Sequence, residues 1–365
     1  MKNKQISNVN NEIREKFSNI LDETIIPVNA KKSVRAKKQA KIDSFLRVNT
    51  PASLFRYRTA DIHYIDALEK GHISVTKPFK MSDDLDSLIM FDSAEIKRLF
   101  SKYFPSYKAL EGWVKHNKGV SEVPKIALKS VPILVRVIFG LGLRFAKKPN
   151  ATRSLQRSFK AVKANVGKQL NELKGQVYDE LRHTRYIACF CESVSEYRMW
   201  DEYTNNHEGF ALEYDFTETT PKGCAMFPVI YGTQYNATIF ALHNIANDLP
   251  SQILKENGLS PFLQWYFKKK KFTNFFDELF YLKGYAYKGK KFAYEGEWRL
   301  LTSQTKKDSD CYSSVPFEAK AIYFGAKMKN ETYERLNQIA IKRGLKRYKI
   351  IINDVNKTAI PIELE

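Results

Sequence analysis

The chain has 365 residues, 43% hydrophobic and 13% aromatic, enough for one large domain or two ordinary ones and too apolar for global disorder. Lys and Arg number 60 against 40 Asp and Glu, a formal net charge of +20. That surplus points to an anionic partner: nucleic acid, anionic lipid or a phosphate-rich ligand.

Residues 1–48 are polar and Lys-rich. They read as an N-terminal basic arm, with one amphipathic helix at Ile13–Ile26 and a basic tether, KKSVRAKKQAK, at 31–41. The opening MKNKQISNVNNEIREKF lacks the apolar core of a secretory signal. Residues 49–365 have the texture of a single α+β domain. SLFRYRT predicts a first strand. ADIHYIDALEKG predicts a helix, with Ala60, Tyr64, Ala67 and Leu68 at helical spacing and Gly71 as its cap, and HISVT a short strand. SDDLDS at 82–87 predicts an acidic turn.

Residues 101–185 read as a helical insertion. It holds 18 Lys and Arg against 5 acidic residues, so a net +13 of the chain's +20 falls in this block. Arg153, Arg157, Lys160, Lys163 and Lys168 share a helix side and are candidates for contact with nucleic acid. The most apolar stretch, Val131–Leu143, carries Pro132 and Arg136 and falls short of the ~20 residues of a membrane span. With its flanking lysines it fits at most a surface association with lipid.

Strand texture returns at Tyr186–Glu192, followed by a helix over Glu196–Asn205, a strand in GFALEYDF and another around Phe227–Tyr231. Residues 236–280 are aromatic-rich and helical in pattern. EGEWRLLTS, AKAIYFGA and YKIIIN predict strands, with a helix at Thr332–Arg343. Strands scattered among helices without strict alternation favour a mixed or antiparallel α+β fold over a doubly wound sheet. Cys189, Cys191, Cys224 and Cys311 form no CxxC pair and no zinc-spaced cluster. They read as reduced thiols of a cytoplasmic protein.

The sequence lacks a phosphate-binding Lys loop, a GxGxxG after a strand, an HExxH and a GxSxG. Three segments are left to carry chemistry. YEGEWRLL places Glu295, Glu297 and Arg299 on one face of a predicted strand, where they face solvent, pair together or line a cleft. IACFCES and the following MWDEY place Cys191 at a strand end and Trp200 and Tyr203 on a helix, where their rings either stack on a planar ligand or join the core. LFRYRT places Arg56 and Arg58 on one strand face, spaced to clamp a phosphate or carboxylate, with Tyr57 between them. A metal-dependent nuclease would require Asp83, Asp84, Asp86 and Glu297 to meet; no metal is expected.

In order, LFRYRT, SDDLD, IACFCES, Met199-Trp200, Tyr203, His207, Gly209-Phe210 and Glu295-Gly296-Glu297-Trp298-Arg299 resemble the bacterial domain-of-unknown-function family 2971 over residues 51–92 and 186–326. The sequence departs from the family pattern in MSDDLDS, which replaces an Asn-Asp-Pro turn, and in Cys191, where serine is usual. The family's layout in turn is similar to that of ADP-ribosyltransferases. That likeness implies a split-sheet core and an NAD-dependent transferase, a toxin or phage-defence effector with nucleic acid as acceptor and an antitoxin or other defence-system protein as partner. It further implies Glu297 as catalytic carboxylate, Glu295 as positioning group or base, and NAD bound as substrate by Arg56, Tyr57, Cys191, Trp200 and Tyr203. The competing expectation is a non-catalytic nucleic-acid-binding module that works through the basic insertion.

Overall fold

The computed structural model describes residues 2–27, 30–81, 89–96, 98, 149–238, 240–241, 277–302 and 311–365, with the backbone alone for 2–10, 149–163 and 165. The expected acidic turn at 82–87, most of the insertion before residue 149 and most of 236–280 lie outside the described residues.

The N-terminal segment departs from the expected arm. Helices α1 (Lys2–Glu23) and α2 (Lys32–Asn49) form a pair, and the stretch read as a tether is helical. The reason is a short apolar stripe. Phe17 and Leu21, four residues apart on α1, are fully buried, with Ile42 of α2 beside them. The Phe17 ring stacks on Phe45 at 5.9 Å and on Phe227 at 6.4 Å.

Next come β1 (Leu54–Arg58), α3 (Ile62–Glu69), β2 (His72–Thr76) and β3 (Ile89–Met90), then the long helix α4 (Pro149–His183). As the spacing predicts, α3 hands over to β2 at Gly71, whose φ of +67° is left-handed. Helix α4 buries Val166, Leu170, Val177 and Leu181 at helical spacing. The chain continues through β4 (Ile187–Cys191), α5 (Tyr197–Tyr203), β5 (Phe210–Tyr214), β6 (Cys224–Pro228), β7 (Ile230–Gly232) and β8 (Tyr235–Asn236). After α6 (Phe280–Ala286) come β9 (Tyr287–Gly289), β10 (Glu297–Thr302), β11 (Tyr312–Pro316), β12 (Ala321–Phe324), α7 (Asn330–Lys342), β13 (Lys346–Asn353) and β14 (Thr358–Leu364).

Ten of these strands form one mixed sheet, so the fold is α+β as expected. Its pairings are antiparallel except for β12 with β13, which α7 connects. Strand β4 organises it. One edge of β4 pairs with β10 from Cys191–Glu297 to Ile187–Leu301, and β10 pairs onward with β6. The other edge is shared: β1 takes the Cys191 end through Phe55, and β2 takes the Ile187 end through Thr76. The sheet therefore divides at β4.

Alternation along these strands sorts chemistry by face. Leu54, Arg56, Ala188, Phe190, Trp298 and Leu300 share the face covered by α3 and α7. Phe55, Tyr57, Cys191, Glu297 and Arg299 share the opposite face. Two apolar clusters cover that second face: one built on α1, α2, α4 and α6, the other on α5 and the C-terminal strands.

The α5–β5 turn is held by close backbone approaches. Asn205, Asn206 and His207 are all left-handed, and Gly325 N–H donates to Gly209 O at 2.9 Å. A Cβ at Gly325 would stand 2.2 Å from His207 O and 2.5 Å from Gly209 O, both backbone atoms. Gly325→Ala is therefore expected to destabilise the protein by about 2–4 kcal/mol through backbone displacement. Urea unfolding would measure this, and a change below about 0.5 kcal/mol would contradict the packing described.

Candidate functional site

Between the two apolar clusters of the second face lies a buried ionic network. Glu297 opens β10 on that face and is 1% exposed; Arg299 follows on the same face and is fully buried. The Arg299 Nε donates to Glu297 Oε1 at 2.7 Å, and its Nη1 donates to the carbonyl of Tyr285 at 2.8 Å. Strand β9 runs parallel to β7, setting Lys288 level with Tyr231. Lys288 Nζ then reaches both carboxylates, Glu295 Oε2 at 2.5 Å and Glu297 Oε2 at 2.8 Å. The Tyr231 hydroxyl accepts from the Glu297 amide at 2.6 Å.

The two glutamates meet by a different route from the one the pattern predicts. Glu295 is not in the strand. It ends a 3-10 turn over Lys290–Glu295, and Gly296, left-handed at φ +52°, redirects the chain into β10. The carboxylates converge because both bind Lys288. From the opposite side, the Tyr203 hydroxyl of α5 donates to Glu295 Oε1 at 2.7 Å. The next contacts involve Glu192, just past β4. It accepts from Trp298 Nε1 at 2.7 Å and from Arg14 Nη2 of α1 at 3.0 Å.

These contacts divide the pair electrostatically. Burial disfavours charge on both carboxyls. At Glu297 the Arg299 and Lys288 cations overcome that penalty and hold the carboxyl well below its ordinary range. Glu295 is pushed up, first by burial and then by the Glu297 charge. Lys288 lies closer to Glu295, yet it is shared, whereas Arg299 commits to Glu297. The fixed negative charge therefore sits on Glu297, and Glu295 is the carboxyl that takes up a proton. Burial, and then the Glu295 and Glu297 charges, push the neighbouring Cys191 thiol up. Burial raises Tyr203 in the same way.

The structure thus gathers Glu295, Glu297, Cys191 and Tyr203 and leaves other candidates apart. Arg56 projects to the opposite face, over the Phe190 ring at 5.4 Å. A single cleft holding both Arg56 and Glu297 is ruled out by strand alternation. Tyr57 shares the Glu297 face but donates its hydroxyl to Ser193 O at 2.8 Å, and its ring meets Trp200 edge-on at 5.1 Å. Trp200 is fully buried, with its Nε1 donating to Val194 O, so its ring is core. His207 is buried too, and its amide donates to Trp200 O; together they frame the turn. Arg153, Arg157, Lys160 and Lys163 lie on the backbone of α4, and Lys168 is exposed there. Sequence reasoning missed Lys288, Tyr231 and Arg14. Lys288 had one signal, its place seven residues before Glu295.

Among the described residues no group of three or more His, Cys, Asp or Glu is arranged to hold a metal ion, and no helix is long and apolar enough to cross a membrane. Asp83, Asp84 and Asp86 lie outside the described residues. Residues 199–300 match the family model described as Protein of unknown function (DUF2971), the family whose motifs the sequence resembles. No curated protein and no solved structure matches the chain.

Lys288→Met, which strips a buried pair of its shared cation, is expected to cost about 3–5 kcal/mol. The pH dependence separates the two glutamates. A depressed carboxyl contributes stability above its unfolded pKa and loses it on acidification, so the deficit of Glu297→Gln should shrink as pH falls. A raised carboxyl contributes below its unfolded pKa and loses it as pH rises, so wild type should lose ground to Glu295→Gln from the ordinary carboxylate range upward. Urea unfolding across a pH series checks both signs. Parallel curves for the three proteins would refute the division of charge.

Proposed function

We propose that the chain is an NAD-dependent ADP-ribosyltransferase whose chemical centre is the Glu295–Glu297 pair, with nucleic acid as the acceptor. The observation that carries the reading is the convergence of two carboxylates with opposed proton affinities on one lysine. Transfer breaks the bond between ribose C1′ and the nicotinamide nitrogen, and nicotinamide leaves with the electron pair. The resulting oxocarbenium-like carbon favours a fixed anion beside it, the role of Glu297. An acceptor atom then forms the new C1′ bond, and its proton passes to Glu295, whose affinity is tuned toward neutrality as a general base requires. Protonated Glu295 returns the proton to solvent.

The residues that fit such a substrate are those around the Lys290–Glu295 turn. Tyr203 touches Glu295, and Tyr294 donates to Glu202 at 2.6 Å under the Arg198 guanidinium, 3.8 Å from its ring. These partly exposed groups border the buried pair, so entry requires the turn to move aside. Arg56 and Trp200 have no part in this version of the site. The toxin or phage-defence setting and an antitoxin partner are extensions of the same proposal.

Labelled NAD incubated with the full chain and with DNA, RNA or lysate tests it. Nicotinamide release and label transfer are expected, with a fall of about 100-fold or more in Glu295→Gln. Glu297→Gln should be inactive at a pH where circular dichroism shows it folded. No NAD consumption with any acceptor would sink the proposal.

A second reading, a non-catalytic nucleic-acid-binding module, is favoured by one feature, the length of α4. At about 100° per residue, one arc of this 35-residue helix carries Arg153, Arg157, Lys160 and Lys168, whereas Lys163, expected on the same side, falls about 60° beyond its edge. It predicts binding that weakens steeply with salt, is lost on reversing charges at Arg157 and Lys168, and is unaffected by Glu295→Gln.

A further inference from the structure

We infer that the gap where the sheet divides at β4 is an oxyanion-binding site, taking a phosphate group through Arg56 and Arg58. It lies across the sheet from the carboxylate pair and is independent of it. Arg56 is 2% exposed, and its Nε and Nη1 are buried without any hydrogen-bond partner. Arg58, two residues on, has a buried Nε that is likewise unpartnered; its Nη1 reaches only the adjacent Tyr57 carbonyl at 3.0 Å. Among the described residues neither arginine forms an ion pair.

A buried guanidinium without counter-charge, as at Arg56, is costly, and structures retain such groups where a ligand completes them; Arg58 beside it is half-buried, with its Nε alone enclosed and unpartnered. The surroundings suit that role. Arg56 lies over Phe190 at 5.4 Å and Arg58 over Tyr64 at 4.7 Å, so each guanidinium packs against an aromatic face. His63, its ring tilted against that of Tyr64 at 3.9 Å, also has a buried Nε2 without a partner. The gap itself is a consequence of topology. Strand β1 joins β4 at Cys191 and β2 joins it at Ile187, and the intervening edge beside Phe190 is paired with neither. Unpaired guanidinium donors beside an unpaired strand edge suit a tetrahedral oxyanion, which accepts from several directions at once.

The phosphate is either free or carried by a nucleotide, and two probes separate these sources. Thermal unfolding of the full chain is followed with inorganic phosphate, with ADP, and with chloride at matched ionic strength. Saturating phosphate or ADP is expected to raise the midpoint by roughly 3 °C or more. A response to both marks a site for the phosphate group itself; a response to ADP alone marks a nucleotide-borne one. Arg58→Gln should abolish the response. Arg56→Met should abolish it too, while raising the ligand-free midpoint, because it removes an uncompensated buried charge. Should Arg56→Met fail to fold, Arg58→Gln carries the ligand test alone. Glu295→Gln should respond as wild type does, so a failure of ADP-ribosyl transfer leaves this result unaffected. A shift that chloride reproduces, or one that survives in Arg58→Gln, would overturn the inference.

Discussion

The structure depends on how three cations and three carboxylates are buried together between two apolar layers. Arg14, Lys288 and Arg299 face Glu192, Glu295 and Glu297 in the seam between the cluster of α1, α2, α4 and α6 and the cluster centred on α5. Such a network stabilises less than apolar packing of equal volume would, since each ion loses its hydration. Its stronger effect is on specificity. Apart from Glu297 and Arg299, both on β10, every member comes from a different element, and removing any of them other than the proton-bearing Glu295 leaves a buried charge unmatched. The register of β10 on β4, the parallel docking of β9 on β7 and the seating of α1 are therefore fixed by one set of contacts.

Helix α1 is part of that constraint. Arg14 Nη2 donates to Glu192 and also reaches the Glu297 carbonyl at 3.3 Å, while its guanidinium lies 5.5 Å from the Tyr231 ring. Phe17 and Leu21 anchor the same helix in the adjoining core. The N-terminal segment thus closes the seam, and a chain beginning after residue 48 would expose Glu192 and the apolar surface beneath α1. A basic arm that merely tethered the domain would leave both unaffected.

What the sequence discloses and what it hides follow from the range of the interactions. Alternation in LFRYR, IACFC and EWRLL is local, and it correctly separates Glu297 and Arg299 from Trp298 and Leu300. Gly71 as the end of α3 is local too. The partner of Glu297 is not, because Lys288 is brought into place by the pairing of β9 with β7. Arg14 is more distant still, 178 residues from Glu192. The strand read through Glu295 fails at Gly296, where a left-handed glycine breaks the pleat and a turn precedes it. The motif Met-Trp, Tyr, His-x-Gly-Phe reads as a ligand cradle in sequence and folds largely as framework. Trp200 and His207 are buried and bonded to backbone, and Tyr203 alone reaches the carboxylates. Strands β11 and β14 carry little pattern, being half-exposed along their lengths, so local alternation does not separate them from loops.

The same alternation explains why one short strand presents different groups to the two faces of the sheet. Along β1, Tyr57 turns toward the carboxylate face and Arg56 and Arg58 turn away from it, so a substitution at each position reports on a different side of the sheet. The family match adds a second distinction. Residues 199–300 contain Tyr203, Lys288, Glu295, Glu297 and Arg299 but none of Arg56, Arg58 and His63. The inner part of the ionic network is thus assembled wholly within the matched segment, apart from what Arg14 and Glu192 add at its margin. The unpartnered arginines lie outside it, at a gap formed only when β1 and β2 dock on β4. Variants on the two faces therefore separate what the matched segment holds from what β1 adds to it.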